Sequence, residues 1–144
     1  ALWLQSILIF SNDCLATMTA DLRYPDLEVY IKTSELDALT AILDPMLPLS
    51  PWERSDSVYC ARLELHGESS EVNLRAGAYK KFTSVWIKNN LTPWSTDHDF
   101  ALALSESTDF EIRCSIGSWS GVESDEPELW WRVSNGVSQQ VQWS

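Results

Sequence analysis

At 144 residues the chain is the size of one ordinary domain, long enough to bury roughly 68–70% of its unfolded surface. Apolar residues make up 44% of it and charged residues 22%, which excludes collagen-like, low-complexity and wholly disordered chains. Ten basic against 21 acidic side chains leave a net charge of −11, and a field of that sign repels phosphate backbones and anionic bilayers, so nucleic-acid and membrane-surface binding are set aside.

The first ten residues hold a short apolar run, Leu2-Trp3-Leu4 and Ile7 to Phe10, too short to cross a bilayer of roughly 30 Å as a helix. No positive charge precedes it and no small-residue cleavage site follows, as a secretory signal would require. Met18-Thr19-Ala20-Asp21-Leu22 reads as a bacterial start. Residues 1–17 are therefore expected to be a peripheral extension, with residues 18–144 forming a single domain. A first strand or short helix packed on the core is the competing expectation for this segment.

Leu27 to Thr33 alternates apolar and polar residues with the period of a half-buried strand. Ser34-Glu35-Leu36-Asp37 then matches a helix-capping pattern, and Leu36, Leu39, Ile42 and Leu43 share a helical face, predicting a helix over 35–43. Pro45, Pro48 and Pro51 make Asp44 to Asp56 a crossing loop. Ser57 to His66, Glu71 to Arg75 and Phe82 to Lys88 read as strands of a meander, with turns near Gly67 to Ser70 and Gly77 to Lys80. Thr96 with Asp99 repeats the capping pattern, and Phe100, Ala101 and Leu104 share a face, so a second helix is expected there. An alternating strand through Phe100, Leu102 and Leu104 is the alternative. Asp109 to Ile116 is a strand, Gly117 to Glu128 a loop, and Leu129–Val133 with Val137–Trp143 a hairpin turning at Asn135-Gly136. The order implies an α+β fold, a mostly antiparallel sheet with two short helices packed on one face.

Catalytic patterns are weak throughout. Gly117-Ser118-Trp119-Ser120-Gly121 has Trp119 where a nucleophile elbow needs its nucleophile. Asp97-His98-Asp99 offers metal-ligand chemistry, but consecutive helical side chains point in different directions, and an acidic helix start is the simpler reading. No phosphate cradle can be built from five scattered glycines. Cys14, Cys60 and Cys114 have neither metal nor disulfide spacing, so Cys60 and Cys114 are read as small buried hydrophobes on strands. No catalytic residue, metal or cofactor is assigned, and the free thiols suggest the cytoplasm.

Charge distribution is more informative. Residues 94–128 carry nine acids and one base, a net of −8 out of −11. Within that segment Glu123, Asp125, Glu126 and Glu128 crowd a loop flanked by Trp119 and by Trp130-Trp131. Acid mixed with tryptophan suits a surface that covers a basic protein, because carboxylates steer and pair while the indole supplies desolvated area. Asp97, Asp99 and Trp94, just upstream, complete the candidate partner-binding set.

The stretch Thr92-Pro93-Trp94-Ser95-Thr96-Asp97, then Phe110-Glu111-Ile112-Arg113-Cys114-Ser115, Trp119, Leu129-Trp130-Trp131 and Trp143 resembles small bacterial proteins, some of them of the immunity (antitoxin) type that guard against polymorphic toxins. That resemblance covers about a third of the chain and implies a stoichiometric inhibitor of a toxin domain, such as a basic nuclease. The alternatives are a homo-oligomeric assembly protein built through a sheet edge or a Trp-rich surface, and a metal-dependent hydrolase using Asp97, His98, Asp99 or Glu128.

Overall fold

A computed structural model describes residues 23–116 and 129–142. Within them the chain runs β1 (Leu27–Ile31), α1 (Leu36–Leu43), β2 (Glu53–Arg54), β3 (Val58–Leu65), β4 (Glu68–Tyr79), β5 (Phe82–Ile87), α2 (Asp97–Ser105), β6 (Ile112–Ser115), β7 (Leu129–Ser134) and β8 (Val137–Gln142). All eight strands join one sheet in the order β2-β3-β4-β5-β1-β6-β7-β8. Each neighbouring pair is antiparallel. The fold is α+β, and the sheet dominates it. Among the described residues no helix is long and apolar enough to cross a membrane.

The alternation in the sequence decides which side chains meet. Leu27, Val29 and Ile31 of β1 are fully buried, and the register sets Leu27 beside Ile87, Val29 beside Val85 and Ile31 beside Ile112. Val72 and Leu74 of β4, Leu63 of β3, Cys114 of β6 and Val133 of β7 extend the same apolar layer. Leu36, Leu39 and Leu43 of α1 and Phe100, Ala101 and Leu104 of α2 belong to this one core. Each Val, Leu, Ile or Phe among them contributes about 1.5–3 kcal/mol when fully buried, relative to exposure.

Several local expectations need correction. The Ser34 capping box does not form: Glu35 is the N-cap of α1 and no side chain caps it. In its place the Thr33 hydroxyl accepts the Glu35 N–H at 3.1 Å. The expected turn at Gly67–Ser70 is only His66-Gly67, both with positive φ, so β4 starts at Glu68 and runs twelve residues to Tyr79. The expected turn at Gly77–Lys80 instead falls within that strand as a register shift between Arg75 and Tyr79, with Gly77 at φ +66°; the extra residues are absorbed as a bulge. In β3 the apolar positions Val58, Cys60, Leu63 and Leu65 change parity, which one strand face cannot accommodate. Ala61 and Leu63 take the core, while Cys60 is only half-buried, with its thiol against Asn73 Oδ1 at 2.7 Å. Cys114 is fully buried, and burial pushes its thiol up to about 12, with the nearby Asp97 carboxylate adding to the shift.

The second helix and the Asn135-Gly136 hairpin form where the sequence places them. Residues 1–17, the loop 117–128 with Trp119, Glu123, Asp125, Glu126 and Glu128, and Trp143 lie outside the described residues.

Candidate functional site

The part of the candidate surface that is described centres on the start of α2, and its geometry begins one loop earlier. Asn90 is a hub. Its amide donates to the Tyr24 and Trp94 carbonyls, and its oxygen accepts from the Thr92 N–H and hydroxyl. Arg23 donates to the carbonyls of Asn90 and Thr92, and the Tyr24 N–H reaches the Ser95 carbonyl at 2.7 Å. Turn residues that bond their own backbone in this way hold a loop in one conformation, so the chain enters α2 at a fixed angle. Trp94 is half-buried there, stacked on Phe100 with ring centroids 5.1 Å apart. Its ring belongs to the margin of the core.

Thr96 is the N-cap, and its hydroxyl accepts the Asp99 N–H at 3.1 Å. The next three side chains go three separate ways. Asp97 turns inward and is only 8% exposed. Its Oδ1 accepts the Glu28 N–H at 2.9 Å, and the Ser115 hydroxyl bonds the same carboxyl. The register of β1 with β6, Tyr30 beside Arg113 and Ile31 beside Ile112, would next set Glu28 beside Ser115. Pairing stops before that point. The Asp97 carboxyl occupies the place where the strands part, taking a strand N–H that would otherwise be buried without an acceptor. Burial pushes its pKa up to about 6 against the pull of these two hydrogen bonds, and the Asp26 and Glu28 carboxylates push the same way.

His98 leans across the sheet. Its ring stacks on Trp131 at 4.3 Å between centroids and 13° between planes, and Nε2 lies 2.8 Å from Ser138 Oγ on β8. It ties α2 to the last hairpin, a link that the sequence did not suggest because the partners are 33 and 40 residues away. Asp99 is exposed. Of the described candidates, then, Asp99 faces solvent, while Asp97 serves the fold and Trp94 seals the core margin. Among the described residues no group of three His, Cys, Asp or Glu could hold a metal ion.

Away from the apolar core, the sheet carries a second set of side chains whose charges are largely matched. Lys88 Nζ lies 2.6 Å from Glu71, Arg113 and Arg132 both reach Glu111, and Ser84 donates to Glu28. Trp86 donates to Asp26 and carries Lys88 over its ring. Tyr30 meets Trp130 edge to face at 5.9 Å. Consecutive Trp130 and Trp131 thus serve opposite sides of the sheet, as strand geometry requires.

At the end of β7 nearest the acidic loop, Leu129 is 46% exposed. A cleft of about 260 Å³ between β3, β4 and the loop at Ser50–Pro51 lies at the other wing of the sheet from these residues. It is lined by Cys60, Arg62 and Glu71; Arg62 is paired with Glu64 and Glu71 with Lys88, and burial and the Glu71 carboxylate push the Cys60 thiol up, which leaves it a poor nucleophile. No protein-family model, no curated protein and no solved structure matches this chain.

Proposed function

We propose that the chain is an acidic protein-binding module that covers a basic protein surface, in the manner of a cytoplasmic immunity protein that neutralises a toxin domain. Glu123, Asp125, Glu126 and Glu128 with Trp119 form the contact, and Asp99 extends it from the first turn of α2. The observation that carries this reading is the partition of charge. Glu64 and Glu71 of the sheet are answered by Arg62 and Lys88, and within residues 94–128, which hold −8 of the net −11, Glu111 is answered by Arg113 and Arg132, so the excess of negative charge lies on the other acids of that segment. A basic partner is steered to the segment that holds the excess of negative charge. The same reading takes both helices to lie over the apolar side of the sheet. In support, Tyr59 bonds Asp37 of α1 and Ser138 approaches His98 of α2, and both strand residues share the core-side parity.

The test reverses the four loop charges together, Glu123→Lys, Asp125→Lys, Glu126→Lys and Glu128→Lys. The wild-type chain is used to capture partners from its native host, and association of the captured protein is followed at several salt concentrations. Reversal should slow association at least about tenfold at low salt and flatten its salt dependence, with an unchanged melting temperature. Equal rates and equal salt slopes for the two chains would overturn the reading.

A further inference from the structure

The last two strands are held unequally. β7 pairs with β6 on its inner side, stacks Trp131 on His98 and sets Arg132 against Glu111. Among the described residues β8 pairs with β7 alone, none of its side chains is fully buried, and the Ser138 hydroxyl, 2.8 Å from His98 Nε2, ties it to α2. Elements with few buried contacts open at the lowest free energy. Release of β8 from β7 is thus an opening that leaves the rest of the sheet and its core in place.

At the tip of this hairpin stand Asn135 and Gly136, both exposed, with φ of 53° and 79°. They join Ser134 directly to Val137, which is the form of a type I′ turn. A side-chain amide followed by glycine is open to cyclisation, because Gly136 carries no Cβ to shield its nitrogen and the space around it is empty. That nitrogen, once its proton has passed to solvent base, attacks Asn135 Cγ; the new N–C bond closes a cyclic imide, and the side-chain amide takes up a proton and leaves as ammonia. Water then opens the ring at either carbonyl, giving aspartate or isoaspartate. The closed turn withholds this chemistry. In a type I′ turn the first residue has ψ of about +30°, which carries the Gly136 nitrogen to the side of Cα away from Cβ. Bringing it to Cγ takes a large rotation about ψ, and the hydrogen bonds exchanged by Ser134 and Val137 across the turn oppose that rotation while they stand.

We propose that Asn135 is a deamidation site gated by the hairpin: the closed turn protects it, and release of β8 from β7 starts an irreversible conversion to aspartate and isoaspartate. The two products differ in what they do to the fold. Aspartate-glycine suits the same two-residue turn, so that product closes again with one more negative charge. Isoaspartate adds a methylene to the backbone inside a turn whose length sets the register of the strands. With it the pairs Ser134 with Val137, Arg132 with Gln139 and Trp130 with Val141, which bond across the hairpin, lose their alignment, and Ser138 leaves His98.

The experiment ages the full chain at mildly alkaline pH and follows conversion at Asn135 by digestion and mass spectrometry, with aspartate and isoaspartate separated. Folded chain should convert at least about tenfold more slowly than the same chain in guanidinium chloride. Ser138→Ala, which removes the tie of β8 to His98, should raise the folded rate about fivefold and leave the unfolded rate alone. Tyr59→Phe deletes a comparable bond at the other wing of the sheet and should leave both rates unchanged. Amide exchange then tests the products: the purified isoaspartyl form should exchange Val137, Gln139 and Val141 at least about tenfold faster than the wild type, and Asn135→Asp at the wild-type rate. Equal conversion in the folded and unfolded chain, a Ser138→Ala chain that converts no faster than the wild type or than Tyr59→Phe, or an isoaspartyl form with wild-type exchange would each overturn the proposal.

Discussion

The two helices start from nearly the same sequence pattern, Ser34-x-x-Asp37 and Thr96-x-x-Asp99, and begin in different ways. At α2 the Thr96 hydroxyl caps the Asp99 N–H, and Asp97 is drawn into the sheet. At α1 the hydroxyl that could cap lies one residue too early. Glu35 takes the N-cap place, and the polar anchors of the helix are exposed: Tyr59 to Asp37, Arg54 to Asp37 and Trp52 to Asp44. One helix is tied to the sheet by a buried carboxyl and a stacked aromatic pair, the other by leucines and surface bonds. A capping pattern offers a hydroxyl, and the route by which the chain arrives decides whether it is used.

Four tests, made with five substitutions, bear on the contrast. Phe100→Ala at the heart of α2 should cost the most, about 3–5 kcal/mol, because its ring is fully buried and stacked on Trp94; chemical denaturation measures it. A cost below about 1 kcal/mol would mean that α2 is not fixed to the core as described.

Asp97→Asn separates the two helices by pH. The carboxyl ionises near 3.8 in the unfolded chain and only near 6 in the folded one, so between those values the folded state holds the extra proton and stability falls as pH rises. The loss, fully present above about 6 and absent below about 4, is about 3 kcal/mol. Asparagine keeps an acceptor for the Glu28 N–H but cannot ionise. The variant should therefore be more stable than the wild type at pH 7 and should lose the fall between pH 4 and 6, which thermal melts across that range would show. A stability difference between the variant and the wild type that does not grow between pH 4 and 6 would contradict the burial assigned to Asp97.

The capping difference itself is the third test. Thr96→Ala should cost about 1 kcal/mol, and Ser34→Ala close to nothing, since its hydroxyl is not the cap. Equal costs in denaturation would remove the distinction between the two starts. Smallest of all is Tyr59→Phe, which deletes the exposed bond to Asp37 and should move the melting temperature by no more than about 2 °C. A larger drop would show that α1 depends on its surface anchors more than on Leu36, Leu39 and Leu43.

Much of the architecture was legible in the residues. Leu27 to Ile31 alternates cleanly, and Asn135-Gly136 permits the positive φ that a two-residue turn requires, so these elements appear where their patterns lie; of the stretch 109–116 only Ile112–Ser115 forms the expected strand. Reading failed where two patterns compete in one stretch. Residues 58–65 hold apolar side chains of both parities, and only pairing with β4 selects Ala61 and Leu63 for the core. Ser69, Ser70 and Gly77 look like turn residues, yet lie in a twelve-residue strand, because Glu64 and Leu63 of β3 pair with the two serines and Gly77 falls in the bulge before Tyr79. The polar character of Glu68-Ser69 marks an exposed strand start as readily as a turn.

The candidate site divides in the same way. Its acidic bias is a property of the sequence, because charge is counted residue by residue and no fold can remove it. The roles within Asp97-His98-Asp99 are not, since adjacency along the chain says nothing about which carboxyl meets a strand parting 69 residues away. Burial, a backbone N–H in need of an acceptor, and the stacking of His98 on Trp131 are tertiary facts. Alternation, turn chemistry and net charge thus belong to the residues alone, all of them being local or additive. The sheet order, the inward turn of Asp97 and the contact of His98 with the last hairpin arise only in the folded chain, because each depends on which distant strand comes to lie alongside.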